Sequence, residues 1–299
     1  MKERLLVLAK AAPEASKKYE ELICVAGITD KGEWRRIYPI PWEVFRKNSD
    51  LNFKKKWWIE YELQSDQPSD HRPESRKIKF ETIKPVREAS FREIEAMLKS
   101  RMQTLEGLEA LGIKKQSLGV VEPKEVFDFL PSDNANYEKL VSMGKQRTLS
   151  GGQAMKLSPP KFKYRYKFKD AEGGKIHENL CEDWEAVMVY LNCEKMRLAG
   201  KYPDEETVHA KVKGKMLRDI FKNGHVYFIV GSHFIFPTFM IVGVIYPRKA
   251  DLAGPSAKDI AAMKREFEPW QRLAGETWLR IAEDEKKFHQ VAKENQLTN

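Results

Sequence analysis

Over the first 85 residues, apolar positions either alternate with polar ones or run unbroken for a few residues between turn signals. This pattern predicts strands at Arg4–Lys10, Leu22–Ile28, Glu33–Ile40, Lys56–Leu63 and Lys77–Lys84, with Asp30-Lys31-Gly32 turning the second into the third. Pro13–Glu21 leaves room for one short helix. From Ser90 to about Lys114 the period changes: Ser90 with Glu93 spells a capping box, and Ile94, Met97, Leu98 and Met102 follow at helical spacing. Strands are expected again at Ser117–Val121, Val126–Leu130 and Lys161–Lys169. Helices are expected at Glu182–Cys193 and Asp204–Lys222, the second stopped by Asn223-Gly224, and a hairpin over Tyr227–Tyr246.

These elements predict an α+β protein. Five strands with so little helix between them fit a small closed barrel of the OB type. A second strand-rich lobe follows the helical stretch. The expected organisation is an OB-like barrel over 1–88, a helical connector over 89–116, a second OB-like β-rich domain with inserted helices over 117–250, and a helical region over 251–299. Val226–Tyr246 is apolar and about as long as a membrane span. Its Gly231-Ser232-His233 and Pro237-Thr238 breaks, and its β-branched and aromatic content, predict two buried strands instead.

Composition narrows this picture. The chain has 299 residues, of which 41% are apolar, enough for a real core. Its 3 cysteines, Cys24, Cys181 and Cys193, argue for a reducing compartment rather than a disulfide framework. The first apolar run, Leu5-Leu6-Val7-Leu8, is too short for a signal-peptide core, so a cytoplasmic protein is expected. The net charge of +9 is local: Lys139 to Lys169 holds nine Lys or Arg and no Asp or Glu, whereas Lys258 onward balances eight basic with eight acidic residues. A polyanion partner is therefore a hypothesis about one region.

The strand Lys161-Phe162-Lys163-Tyr164-Arg165-Tyr166-Lys167-Phe168-Lys169 carries that hypothesis. A period of two puts its cations on one face and its aromatics on the other. Aromatics in the core and cations in water would be an ordinary half-buried strand. Unrelieved, though, like charges about 7 Å apart repel, and either a phosphate backbone or acids on an adjacent strand would relieve them. Trp34-Arg35-Arg36 and Lys54-Lys55-Lys56-Trp57-Trp58 interleave cations with aromatics, as base-stacking and phosphate-tracking surfaces do. A core Trp flanked by surface charges gives the same pattern. The expected nucleic-acid contacts are Lys161, Lys163, Arg165, Lys167, Arg35, Arg36 and Lys56, with Trp34 or Trp57 stacking.

Other motifs point less far. In Ser69-Asp70-His71-Arg72-Pro73-Glu74-Ser75, Asp70 and Glu74 could do acid–base or metal work, or simply form a turn and pair with Arg72 or Arg76. His177, Cys181 and Cys193 lack the close cysteine pair of a zinc site, so a buried Cys and a capping His are expected and no metal. Asp183-Trp184-Glu185 suits the start of a helix. Leu149-Ser150-Gly151-Gly152-Gln153 matches the signature of transporter ATPases, but no G-x-x-x-x-G-K-[ST] loop accompanies it.

Several of these segments together resemble a known family. They are Leu6–Lys10, Glu21–Ile28, Trp34–Pro41, Ser69–Ser75, Ser117–Val121, Lys161–Phe168, His177 with Asp183-Trp184-Glu185, and Tyr227–Gly231. Their order is similar to that of the prokaryotic dual OB-fold family, a resemblance that covers nearly the whole chain to about Pro247. It implies two OB folds, nucleic-acid binding and a link to antiviral defence or mobile-element loci, and it supplies no catalytic residues. The cysteines that some relatives carry just before the position of His177 are replaced here by Ala171-Glu172-Gly173-Gly174.

The expectation is thus a protein that binds single-stranded or flexible DNA or RNA, without a cofactor and away from membranes. One alternative is a metal-dependent nuclease using Asp70, Glu74, Asp183 or Glu185. Another is a scaffold whose basic patches meet an acidic protein partner in a larger complex.

Overall fold

The computed structural model of the chain describes residues 1–15, 21–45, 49–145, 158–234, 236–248 and 251. Residues 2–88 supply β1 (Lys2–Lys10), β2 (Glu14–Ala15), β3 (Glu21–Thr29), β4 (Trp34–Pro41), β5 (Trp57–Leu63), β6 (Ser75–Arg76) and β7 (Ile78–Glu88). Their sheet runs β6-β4-β3-β1-β5-β7 with β2 on β3, and it curls until β4 and β7 approach each other. Two helices follow, α1 (Phe91–Lys99) and α2 (Leu105–Leu111). Then come β8 (Leu118–Val121), β9 (Glu125–Asp133), α3 (Tyr137–Lys145), β10 (Phe162–Lys169), β11 (His177–Cys181), α4 (Trp184–Leu198), α5 (Glu205–Lys213), β12 (Tyr227–Ser232) and β13 (Phe239–Ile245). The second sheet is ordered β8-β12-β13-β11-β10-β9. The protein is therefore α+β with two β-sheets, and no helix among the described residues is long and apolar enough to cross a membrane.

The unbroken apolar runs have a simple cause. In β1, Leu5 and Val7 face the interior of the first sheet, while Leu6 and Leu8 face the second sheet. In β12, Phe228 and Val230 face the core under the second sheet's helices, while Tyr227 and Ile229 face the first sheet. Strands buried on both faces have no polar side to alternate with. Leu6, Leu8, Trp58, Ile94, Leu98, Leu118, Tyr227 and Ile229 form one apolar cluster that belongs to both sheets. The approach is close enough to require glycine: a Cβ on Gly243 of β13 would lie 2.6 Å from the Leu8 carbonyl oxygen.

Two polar clamps join the sheets. Lys55, nearly inaccessible to solvent, donates from Nζ to Asp183 Oδ2 at 2.6 Å and to the Val244 carbonyl at 3.1 Å. Asp183 also caps α4 by accepting from Glu185 N at 2.7 Å, and it accepts from Val244 N at 2.5 Å. At the second clamp, buried Arg36 of β4 donates to Ser117 Oγ at 2.8 Å and to the Ser117 carbonyl at 3.1 Å. Ser117 in turn donates from N at 2.8 Å and from Oγ at 2.5 Å to Glu74.

The structure corrects several local expectations. The capping box at α1 is half formed. Ser90 Oγ accepts from Glu93 N, but the Glu93 carboxylate turns to Trp58 Nε1 at 2.7 Å and to Arg87. Residues 14–15 are strand, not helix. The expected helix at 204–222 is α5 for its first part, then a π turn over Gly214–Asp219 and a 3-10 turn, ending at Gly224 with φ 64°. His177 lies in β11, which its sequence did not announce, and caps no helix. The helical region expected over 251–299 lies outside the described residues except for Asp251.

Breaking the Lys55–Asp183 pair leaves a buried charge without its partner, which typically costs about 3–5 kcal/mol. Lys55→Met is expected to lower stability by that order in urea unfolding. Adding Asp183→Asn should restore part of the loss, because Asn still caps the helix and carries no orphaned charge.

Candidate nucleic-acid interface

β10 is flanked by β9 and β11, and the three strands share an outer face. The alternation predicted for β10 is realised: Tyr164, Tyr166 and Phe168 are buried, Phe162 is half-buried, and the cations point the other way. Tyr166 donates from its hydroxyl to the Met216 carbonyl at 3.0 Å. Phe129 of β9 stacks on Tyr164 with ring centroids 4.9 Å apart. Burial of three rings fixes the side of the strand on which the cations must emerge.

Acids on neighbouring elements pair with two of those cations and stand across the strands from two more. Lys161 Nζ donates to Glu205 Oε1 at the start of α5, and Lys163 Nζ to Glu182 Oε1, each at 2.5 Å. Lys167 stands between Asp128 of β9 and Glu178 of β11, and Lys169 stands opposite Glu125. Asp128 is held below the usual carboxylate range, against the opposing effect of its partial burial, by Lys213, by the Phe129 N–H and by Lys167. Arg165 differs. Its cross-strand neighbours are Leu130 and Leu180 and not acids, and like Lys167 and Lys169 it forms no ion pair among the described residues.

The other expected contacts fall elsewhere. Arg35 and Arg36 are buried, so neither reaches a ligand at the surface. Arg35 is spent on Glu3, donating from Nη2 to Oε1 at 2.6 Å and from Nε to Oε2 at 2.9 Å, and Tyr61 donates to the same carboxylate at 2.6 Å. Arg36 is spent on Ser117. The physical reason is that β4 lies inside the curled sheet and against the second one, so both of its faces are occupied. Trp34 is half-buried against the shared core, and Trp57 is half-buried at the start of β5. Lys56 takes a left-handed φ of 69° and donates from Nζ to the Tyr246 carbonyl at 2.7 Å.

The four carboxylates considered for metal chemistry are all engaged. Asp70 binds Arg72 through both oxygens, Glu74 binds Ser117, and Asp183 and Glu185 bind Lys55. Among the described residues, no group of three or more His, Cys, Asp and Glu is placed to hold a metal ion. His177 Nε2 lies 3.3 Å from Asp170 Oδ1 in a buried pair, and Asp170 Oδ2 accepts from Leu105 N at 2.6 Å at the start of α2. The Leu149–Gln153 motif lies outside the described residues.

A perturbed lysine escaped notice in the sequence. Lys10, at the end of β1, lies over the Phe45 ring at 3.9 Å and donates to the Phe53 carbonyl at 3.1 Å. Burial pulls its pKa from 10.5 to about 8, against the opposing influence of Glu185. The unfolded chain keeps this proton up to about pH 10.5, whereas the folded protein releases it near 8. The folded state therefore gains stability from this residue as pH rises through that window. Urea midpoints measured over it should climb relative to Lys10→Met, in which that contribution is gone.

Residues 99–269 match the family model of a domain of unknown function, DUF8757, and residues 1–106 match another, DUF8758. No curated protein matches the chain.

Proposed function

The chain belongs to the DUF8757 family, and we propose that it binds nucleic acid, holding a phosphate backbone along the outer face of β9, β10 and β11. The observation that carries this is Arg165. A guanidinium at the centre of a cationic strand, flanked by two leucines instead of carboxylates, is free to take a phosphate bidentately. Lys163 and Lys167 extend the line on either side. Half-exposed ion pairs such as Lys163–Glu182 hold their partners weakly, so a phosphate can exchange with the acid.

The framework for this surface is a pair of OB-like units. The curl of the first sheet, with β4 and β7 drawn together, supports that reading for residues 2–88. The second sheet presents β10 as an inner strand beside the edge strand β9, with Lys163, Arg165 and Lys167 half-exposed on it.

Fluorescence anisotropy against labelled single- and double-stranded DNA and RNA, across a salt series, tests the proposal. Arg165→Glu with Lys167→Glu should weaken binding about tenfold or more and lower the salt slope by about 0.7 per lost phosphate contact on a single strand. Lys161→Glu should change little. Unaltered affinity in a folded double variant removes this face from the interface, and no binding at low salt overturns the function.

A further inference from the structure

Phe234 and Phe236 leave 55% and 59% of their surface exposed in the loop that joins β12 to β13. Such exposure costs hydration free energy and, when clustered, marks a contact surface. Each ring has a histidine beside it. Phe234 lies 5.3 Å from His71, and Phe236 lies 5.1 Å from His233 in a stacked pair inclined by 26°. The Arg72 guanidinium is 5.2 Å from the Phe234 centroid. The polar turn 69–75 of the first sheet thus meets the aromatic loop of the second.

Hydrogen bonds hold this arrangement. Asp70 grips Arg72 at 2.8 and 3.0 Å, and Arg72 donates to the Ser232 carbonyl at 3.3 Å. His233 N donates to the Thr238 carbonyl at 2.9 Å, and Phe236 N donates to His233 Nδ1 at 3.2 Å. Exposed rings with fixed backbones lose little entropy when something stacks on them.

Strand directions place the loop relative to the cations. β13 begins beside the start of β11, where Asn179 Nδ2 donates to the Phe239 carbonyl at 2.8 Å, and β10 ends there because it runs antiparallel to β11. Lys167 and Lys169 therefore point out at the end of the sheet that carries Phe234 and Phe236. From β10 to β12 is three strand spacings, about 14 Å. That is a few nucleotides of single strand.

We propose that Phe234 and Phe236 form a nucleobase-stacking site that selects unpaired bases, on a strand whose phosphates run along β10. This rests on the nucleic-acid reading above and adds strand selectivity to it. His71, Arg72 and His233 border the rings. Planar, weakly polar bases suit that border better than a greasy protein knob does, and cation–π contact from Arg72 polarises the Phe234 face. A duplex hides its base faces and gains nothing here.

The test uses the full chain and a single-stranded oligonucleotide carrying 2-aminopurine, whose fluorescence is quenched by stacking. Quenching by the wild type, relieved in Phe234→Ala with Phe236→Ala, is expected. That variant should also lose about tenfold or more in single-strand affinity, with duplex affinity and salt slope unchanged. Phe234→Trp with Phe236→Trp should restore binding. Both residues are exposed, so thermal melting should confirm that the variants fold. If the wild type binds oligonucleotide with a steep salt slope but the Ala variant binds and quenches equally, the stacking site falls and the phosphate face stands. If the wild type binds no nucleic acid at low salt, both fall.

Discussion

The ion pair between Lys55 and Asp183 is the constraint from which the rest of the arrangement follows. A charge removed from water must be met completely or it unfolds its surroundings. Asp183 meets that demand by serving three donors at once: the lysine of the first sheet, the N-terminus of α4, and the Val244 amide of β13. Those three cannot move independently. The clamp of Arg36, Ser117 and Glu74 does the same elsewhere along the shared core, with burial holding the Arg36 pKa below its ordinary value. Between the two clamps the apolar cluster supplies the bulk of the attraction, and the clamps supply its register. Side chains on the second sheet are thereby fixed relative to the 69–75 turn of the first.

The electrostatics of β10 show why net charge is a weak guide to a binding face. Whether the strand's cations were relieved stayed open in the sequence because the acids at 125, 128, 178, 182 and 205 come from other elements, whose pairing with β10 the charge run does not report. What survives pairing is smaller than the charge run suggests, and it is centred on one arginine. Partial pairing also has a use. Acids beside lysines keep a cationic surface from repelling itself apart when no polyanion is present.

Much of the fold was legible in the sequence. Period-two alternation located β10 and its buried face, and the Asp30-Lys31-Gly32 turn placed β3 and β4. The interface was legible only in part. Arg35 and Arg36 read as surface cations because alternation reports which residues share a face and not what covers it; β4 is covered on both. β11 was missed because His177-Glu178-Asn179-Leu180-Cys181 has little β-branched content, and it is a strand only because β10 and β13 lie on either side. The aromatic loop was absorbed into an apolar hairpin. The Gly231-Ser232-His233 and Pro237-Thr238 breaks marked the join between two strands, but nothing in the sequence told that Phe234 and Phe236 beside them stay exposed.

The core shared by β1, β8 and β12 bears on how such a chain can have arisen. Two family models meet at residues 99–106, as if the protein were a tandem of separable parts. Yet Leu6 and Leu8 are buried by Tyr227 and Ile229, and Gly243 admits the backbone of β1 at a distance no side chain would tolerate. A chain divided at that join would give two halves of one obligate complex, each displaying a sticky face until it found the other. Substitutions on one side must therefore have been accepted with the other side as their environment, and a recombined hybrid of two relatives inherits a mismatched seam before it inherits any change of ligand.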